Sequence, residues 1–208
     1  MNDWLVVSHA VAISGRVINT RTNAAVAGAQ VKITNGPADF MNMLDLQAKS
    51  YGRRWKHLRE RPDRKSSTYD GHFHFLDLPE GAYTLSAMLS GAGSRYGTAQ
   101  ISVAVSLDSL GDLLMTTVEL NLPPTTIRGQ ITDQTSGDPI VMARVSIQGS
   151  NESLYTDNQG DYMLSGLETG TRILQVSAQG FQSVSQTVNL AAAGTEVTQH
   201  IALASSGT

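Results

Sequence analysis

The fold is decided by one stretch that occurs twice, as Gly71-His-Phe-His-Phe-Leu-Asp-Leu-Pro-Glu-Gly-Ala-Tyr-Thr-Leu85 and as Gly160-Asp-Tyr-Met-Leu-Ser-Gly-Leu-Glu-Thr-Gly-Thr-Arg-Ile-Leu174. The two copies of this stretch are 89 positions apart. Nearer the N-terminus, Ile13-Ser-Gly-Arg-Val17 returns as Ile127-Arg-Gly-Gln-Ile131, at a separation of 114. The difference of 25 requires an insertion in the first copy, between Ile33 and Gly71. One fold has therefore been duplicated, and the first copy carries an extra segment.

The 208 residues are enough for two domains of modest core. Hydrophobic residues make up 40% and charged residues 16%, the profile of an ordinary globular protein, and no stretch is long and apolar enough to span a bilayer. We predict domains at 1–122 and 123–208, the second beginning at Pro123-Pro124, a pair that cannot continue a sheet ladder and forms a short, stiff joint.

Alternating apolar residues predict β-strands in both copies. Between Ile101 and Leu107, every second residue is apolar, and the same holds from Val118 to Leu122. Such runs number about seven per copy and are separated by Gly, Asn, Asp and Pro. This spacing predicts two tandem antiparallel β-sandwiches, an all-β fold with a short helical insertion in the first.

The motifs of the second copy resemble those of the carboxypeptidase regulatory-like domain. The residues that carry the resemblance are Ile127-x-Gly129-x-Ile131, Thr156-Asp157, Gly160-Asp-Tyr162, Leu167-Glu-Thr-Gly170 and Leu174-Gln-Val-Ser-Ala-Gln-Gly-Phe181. The first copy matches over Ile13–Ile33 and Tyr69–Gly91. The resemblance implies a prealbumin-like β-sandwich without catalytic residues, a module found in proteases, outer-membrane receptors, adhesins and injection machines.

The insertion, at about residues 35–67, differs from the rest of the chain in charge. Lys49–Lys65 contains eight basic and two acidic residues, a net charge of +6, while the remainder carries seven basic and sixteen acidic residues, a net charge of −9. Apolar and aromatic residues at helical spacing predict a helix over about 38–61, with a possible break at Gly52. The helix either covers its own sandwich or forms a docking surface for an acidic protein, nucleic acid or a membrane.

Two segments without a counterpart in the second copy supply the candidate partner-binding residues. They are Tyr51, Arg53, Arg54, Trp55, Lys56 and Arg59 in the insertion, and Trp4 near the N-terminus. Cations mixed with aromatic rings are typical of protein interfaces, whereas a short basic cluster on an acidic protein makes nucleic acid an unlikely ligand. The apolar residues from Leu5 to Ile13 either extend the first strand or add to the sheet edge of a neighbour.

No cofactor, metal site or catalytic group is expected. His72 and His74 lie two apart on a strand and share one face, a spacing that could bind a metal, but Phe73 and Phe75 take the core side and leave the histidines to solvent. Asp157-Asn-Gln-Gly-Asp161 lacks the ligand series of a calcium loop and indicates a turn. Cysteine is absent, and no motif of a nucleophile or a phosphate loop occurs.

These observations predict a non-enzymatic structural or adaptor protein that binds protein partners, facing an acidic surface with its basic insertion. The N-terminal stretch has no basic residue before its apolar run and does not resemble a secretion signal, which predicts a cytoplasmic protein. A cytoplasmically assembled particle, such as a phage tail or contractile injection system, would fit. The alternative is a carbohydrate-binding or adhesion module, in which Trp4, Tyr51, Trp55 or Tyr96 would stack on sugars.

Overall fold

The computed structural model describes residues 9–58 and 60–207. In the first copy the strands are β1 (Val11–Asn19), β2 (Gln30–Asn35), β3 (Arg64–Ser66), β4 (His72–Leu76), β5 (Gly81–Met88), β6 (Ala99–Leu107), β7 (Leu113–Leu114) and β8 (Thr116–Leu122). Helix α1 (Ala38–Tyr51) and 3₁₀-helices at Gly52–His57 and Ser90–Ala92 complete this copy. In the second copy the strands are β9 (Thr126–Asp133), β10 (Arg144–Ile147), β11 (Ser153–Tyr155), β12 (Asp161–Ser165), β13 (Gly170–Ser177), β14 (Val184–Leu190), β15 (Glu196–Thr198) and β16 (Ile201–Leu203).

Each copy forms two sheets, and their strand orders correspond except that the first copy has one additional edge strand, β7. The first copy has β4-β1-β8 in one sheet and β3-β2-β5-β6-β7 in the other. The second has β12-β9-β15, with β16 also pairing with β9, and β11-β10-β13-β14. The predicted all-β fold of two tandem sandwiches is thereby confirmed.

One pairing in each copy was not predicted. The first and last strands are parallel: β1 pairs with β8, and β9 pairs with β15 and β16. All the other strand pairings of the described residues are antiparallel. Parallel neighbours need a long connection, and here that connection contains the whole second sheet of the copy together with β4 or β12.

The core of each copy lies between its two sheets. In the second copy, inward residues of both sheets form one buried cluster, which includes Ile127, Tyr162, Val145, Leu174 and Leu190. The first copy buries the corresponding side of its strands, including Ile13, Phe73, Val31, Leu85 and Val105. Apolar alternation along the strands therefore has a direct cause, since every second side chain faces the opposite sheet.

The extra segment of the first copy lies in the connection between β2 and β3. This connection spans residues 36–63, whereas the equivalent connection from β10 to β11 spans only 148–152. Within the expected bounds of about 35–67, β3 is a regular strand with β11 as its counterpart. Helix α1 and the first 3₁₀-helix account for most of the segment, as the helical spacing predicted.

The two copies repeat individual hydrogen bonds as well as strands. The hydroxyl of buried Ser67 accepts the N–H of Ala29 at 2.9 Å and donates to the Val26 carbonyl at 2.7 Å. Its equivalent Thr156 is also buried and contacts Ala143 N and Ile140 O at the same distances. In both copies one hydroxyl thereby ties the segment before β4 or β12 to the turn before β2 or β10.

Two glycines at equivalent positions are required by the same close approach. Gly71 and Gly160 have φ angles of +83° and +73°, and in each a Cβ atom would lie 2.6 Å from a backbone oxygen, that of Val17 or Ile131. A side chain is excluded at both positions by the backbone conformation and by this oxygen.

By contacts, the described chain divides into two compact units that do not follow the repeat completely. Unit 1 contains the residues up to Gly91 and Thr98–Leu122, and unit 2 contains Ala92–Gly97 and the residues from Pro123. Six residues between β5 and β6 therefore belong to unit 2. Within unit 2, the Thr125 N–H and hydroxyl donate to the carbonyls of Arg95 and Ser94 at 2.9 and 2.8 Å.

Candidate protein-binding surface

The insertion is anchored to unit 1 by the first half of α1. Phe40 and Leu44 are the buried residues of the helix, and the ring of Phe40 meets that of Tyr83 edge-on at 5.6 Å. Burial raises the pKa of the Tyr83 phenol to about 12, and its hydroxyl donates to the Pro79 carbonyl at 2.7 Å. In the second copy, which has no such helix, Arg172 stands at the position of Tyr83 and donates to the equivalent Glu168 carbonyl at 3.0 Å.

The second half of the insertion turns away from the helix axis at Gly52. There φ is +54°, a conformation that glycine adopts without steric cost, and the Gly52 N–H caps the helix by donating to Ala48 O. The 3₁₀-helix that follows has no buried residue. The apolar stripe predicted for one long helix is thus buried only in its first half.

Trp55 organises this exposed part of the insertion. Its ring is stacked on that of Tyr51, with centroids 6.0 Å apart, and the Arg61 guanidinium lies 4.2 Å from the indole centroid. An arginine over an indole face is a favourable cation–π contact. Trp55 is therefore partly buried by its own segment, while Tyr51 remains 49% exposed.

Three of the basic residues are used inside the protein. Arg61 forms a bidentate ion pair with the buried Asp63, at 2.8 and 2.5 Å. Arg64 donates to the Leu58 carbonyl at 2.7 Å, and Lys65 lies 3.3 Å from the Glu60 carboxylate. These contacts close the insertion onto β3, and the charges of Arg61 and Lys65 are paired with carboxylates of the insertion.

Four other cations are exposed: Lys49, Arg53, Arg54 and Lys56. Among residues 9–58 and 60–207, none of them forms an ion pair with a carboxylate. We call these four residues the basic surface. They lie on the last turn of α1 and on the 3₁₀-helix, which Trp55 and Arg61 hold in place. The arrangement suits the binding of an anionic surface, because no internal charge has to be displaced.

The structure brings together five of the predicted site residues and cannot place the other two. Tyr51, Arg53, Arg54, Trp55 and Lys56 form one continuous segment. Trp4 and Arg59 lie outside the described residues, as do the positions before His9 over which the N-terminal strand was predicted to extend. The partner-binding role of all seven remains a prediction.

The histidines lie as the strand alternation predicted. In β4, His72 and His74 are exposed, and Phe73 and Phe75 are buried. His72 Nδ1 lies 3.0 Å from Asp70, whose pKa is lowered to about 2, mainly by the Thr68 hydroxyl that donates to it. In the described parts of the chain, no three His, Asp or Glu residues are grouped so that they could hold a metal ion.

No helix in the described ranges has the length and apolarity needed to cross a membrane.

A groove in unit 2 was missed from the sequence. It is lined in part by Asp133, Asp138, Val141, Met142 and Phe181. A signal for it was present in the repeat itself, because Val141-Met142 aligns with Ala27-Gly28 of the first copy. The second copy thus exposes two large apolar side chains in a turn where the first copy has alanine and glycine.

Residues 126–204 match the family model of the carboxypeptidase regulatory-like domain. The match confirms the predicted resemblance over almost the whole second copy, and the first copy repeats the strand order of this domain around its insertion. A search among proteins of curated function finds no match to the chain.

Solved structures with a similar fold include two pilins. The shaft pilin SpaA of Lactobacillus rhamnosus GG aligns with a TM-score of 0.43 at 9% identity, over 96% of this chain and 98% of the pilin. The minor pilin GBS52 of Streptococcus agalactiae aligns with a TM-score of 0.31 at 15% identity, over 94% and 96%. The TIE protein of Bacillus anthracis aligns with a TM-score of 0.35 at 11% identity over 94% of this chain, which spans only 34% of that protein's chain. At these identities the likeness concerns the fold alone.

The pilins contradict the cytoplasmic location expected from the N-terminal residues, and that prediction was wrong. Its basis was the lack of a recognisable secretion signal. Such an absence does not determine the compartment in which a protein works.

Proposed function

We propose that the chain is a non-enzymatic structural module that joins a larger assembly by binding an acidic protein partner through the basic surface. The observation that carries this proposal is the division of the basic residues in the insertion. Arg61 and Lys65 are paired with carboxylates of the insertion, and Arg64 is held by a hydrogen bond to the Leu58 carbonyl. The basic surface has no carboxylate partner among the described residues, although the remainder of the chain is acidic.

The fold supports a role in binding rather than in chemistry. The carboxypeptidase regulatory-like domain accounts for the second copy, and the first copy repeats its strands. Insertions into such a scaffold lie on connections between strands, where binding residues are commonly found. The kind of assembly, including the contractile injection system considered from the sequence, remains a prediction.

The test is a comparison of two double charge reversals. Arg53→Glu with Arg54→Glu changes the basic surface, and Lys32→Glu with Arg144→Glu makes the same charge change at two exposed strand positions as a control. Tagged wild-type protein is purified from its native cells, and its partners are identified by mass spectrometry. We expect wild-type protein to be recovered in a large complex that dissociates as the salt concentration is raised. The control variant should retain this complex, and the Arg53/Arg54 variant should lose it.

Equal recovery of the complex by both variants would show that the basic surface is not the docking site. Carbohydrate binding is the rival function, and the structure weakens one of its arguments, because Trp55 is already engaged by Tyr51 and Arg61. Carbohydrate binding would be favoured over the adaptor proposal if the protein purified alone, bound glycans on an array and lost this binding in Tyr51→Ala.

A further inference from the structure

The groove of unit 2 has a size suited to side chains of a partner. Its volume is about 480 Å³, in the lower part of the range of about 300–1,000 Å³ found for ligand clefts. We call it the acidic groove and define it by Asp133, Asp138, Val141, Met142 and Phe181. A space of this volume admits one or two large side chains and is too small for a folded element.

The two carboxylates of the acidic groove are not neutralised by any residue within 9–58 and 60–207. Asp133 Oδ1 accepts the N–H groups of Thr135 and Ser136 at 2.7 and 3.4 Å. No Lys or Arg of the described residues forms an ion pair with Asp133 or with Asp138, which is exposed. The rim therefore presents negative charge to solvent.

The apolar wall of the acidic groove includes a strained residue. Met142 has a φ of +59° and is 64% exposed, and Val141 beside it is 47% exposed. At the position equivalent to Met142, the first copy has Gly28, with a φ of +72°. A methionine in a conformation that favours glycine, with its side chain in water, contributes little to the core. Backbone strain of this kind tends to accumulate at binding sites.

Each feature of the acidic groove is confined to the second copy. Asp133 and Asp138 replace Asn19 and Ala24 of the first copy, as Val141 and Met142 replace Ala27 and Gly28. The basic surface, in turn, exists only in the first copy. The duplicated scaffold has thus diverged in opposite directions, with a cationic segment in one unit and an anionic, apolar groove in the other.

We infer that the partner of the basic surface is the acidic groove of a second copy of this chain. This inference rests on the proposed function and names its partner. Arg53 and Arg54 supply two guanidinium groups for two carboxylates, and the exposed ring of Tyr51 is available to contact Met142, a pairing of aromatic ring and thioether that is favourable. Because the two surfaces differ, the contact is heterologous, and repetition produces a ring or an open chain of molecules.

Sedimentation velocity of two purified variants and their mixture tests this inference. The first variant carries Asp133→Arg and Asp138→Arg, so that both surfaces are basic, and the second carries Arg53→Asp and Arg54→Asp, so that both are acidic. We expect wild-type protein to sediment faster as its concentration rises at low salt, and to lose this behaviour at 1 M salt, where the Debye length is only about 3 Å. Neither variant should self-associate, but an equimolar mixture should, because each supplies the surface that the other lacks.

Met142→Gly separates binding from folding. Glycine relieves the unfavourable φ angle, so the variant should unfold at a higher temperature than wild type while its self-association weakens at least several-fold. A purely structural role for Met142 would leave association unchanged.

Three results would overturn the inference: wild-type protein that remains monomeric up to millimolar concentration, single variants that associate like wild type, or a mixture that does not associate. A fourth result would overturn this inference alone and leave the proposed function standing. If the Arg53/Arg54 reversal abolishes the native complex while the Asp133/Asp138 reversal leaves it intact, the adaptor proposal stands and the second copy is not the partner.

Discussion

At the scale of single residues, the two copies share a buried hydroxyl that makes two hydrogen bonds to the backbone. Thr156 is 2% exposed and satisfies both the Ala143 N–H and the Ile140 carbonyl. A buried polar group that loses its hydrogen-bond partner costs about 1–3 kcal/mol. The Ser67 equivalent shows that the methyl group of threonine is dispensable for this geometry.

We therefore expect Thr156→Val to lower the free energy of unfolding of unit 2 by about 1–3 kcal/mol. Thr156→Ser, the matched control, should cost less than about 1 kcal/mol, since it removes only one methyl group. Urea denaturation followed by hydrogen exchange of peptides from 126–204 measures both. Equal losses for the two variants would show that packing, and not the hydroxyl, determines stability here.

A second residue-scale prediction concerns pH. The pKa of the Glu168 carboxyl is lowered, chiefly by the Ser94 hydroxyl and also by the Ser94 N–H and by Arg95. A carboxyl whose pKa is lower in the folded state stabilises the fold fully above its unfolded-state pKa of about 4.3, and this stabilisation is lost as pH falls through the folded-state pKa.

Glu168→Gln should accordingly be less stable than wild type at pH 7, and the difference should shrink as the pH is lowered from 5 to 2. Thermal unfolding across this range provides the measurement. In Ser94→Ala, the Glu168 pKa observed by NMR should rise toward its ordinary value. A stability difference that is constant with pH would contradict the assignment.

Sequence reasoning was informative about residues with steric consequences and poor for charged ones. Gly129, a residue of the motif shared by the two copies, lies at a close backbone approach, where a Cβ atom would lie 1.9 Å from the Gln199 carbonyl oxygen. By contrast, the pairing of Arg61 with Asp63, which removes a cation from the docking surface, was not predicted. Ion pairs between long side chains depend on local backbone geometry, and the order of residues does not show that geometry.

At the scale of elements, the inserted segment should be replaceable by a short connection between β2 and β3. Residues 36–63 connect β2 to β3, and the second copy makes the equivalent connection with the five residues 148–152. The insertion covers Tyr83 through Phe40, however, so its removal exposes an aromatic ring. The second copy has Arg172 at that position.

Replacing residues 36–63 with the 148–152 sequence should therefore leave unit 2 unchanged and lower the stability of unit 1. The newly exposed Tyr83 ring should also lower the solubility of the protein. Adding Tyr83→Arg should restore solubility, because arginine can keep the hydrogen bond to the Pro79 carbonyl as Arg172 does for Glu168. Calorimetry and size-exclusion chromatography of the two variants are the appropriate measurements. Loss of all cooperative unfolding in both would show that the insertion is part of the core of unit 1.

Strand identities followed from apolar alternation, because the two faces of each strand meet different environments. Strand partners did not follow from it. Alternation shows which face of the sheet a residue lies on, but not the direction of the neighbouring strand. The parallel pairing of β1 with β8 could therefore not be predicted from it. The acidic groove did not follow from the repeat either, because the groove depends on positions at which the two copies differ, such as Val141 and Met142.

At the scale of the whole molecule, the allocation of residues 92–97 to unit 2 could not be predicted, because it depends on contacts distant in sequence. The predicted boundary between Leu122 and Pro123 is a natural place to divide the chain. A piece beginning at Pro123 nevertheless lacks the carbonyls that Thr125 uses and the Ser94 hydroxyl that binds Glu168 and the Thr169 N–H.

We expect residues 123–208 alone to unfold at a lower urea concentration than unit 2 of the complete chain, since each lost hydrogen bond contributes about 1 kcal/mol. A matched piece, in which residues 91–98 are joined to Pro123 by a flexible linker, should recover most of this difference. Unfolding of the shorter piece at the same midpoint as unit 2 in the whole chain would show that residues 92–97 are dispensable.

The same six residues have a consequence for the order of events during synthesis. They leave the ribosome before β6 and β8 of unit 1, and long before Glu168 and Gly194, which they contact in unit 2. Domains generally fold as units as the chain emerges. Unit 1 can therefore complete its sheets before residues 92–97 have formed their contacts in unit 2. The second copy then folds around these six residues, which were synthesised before it.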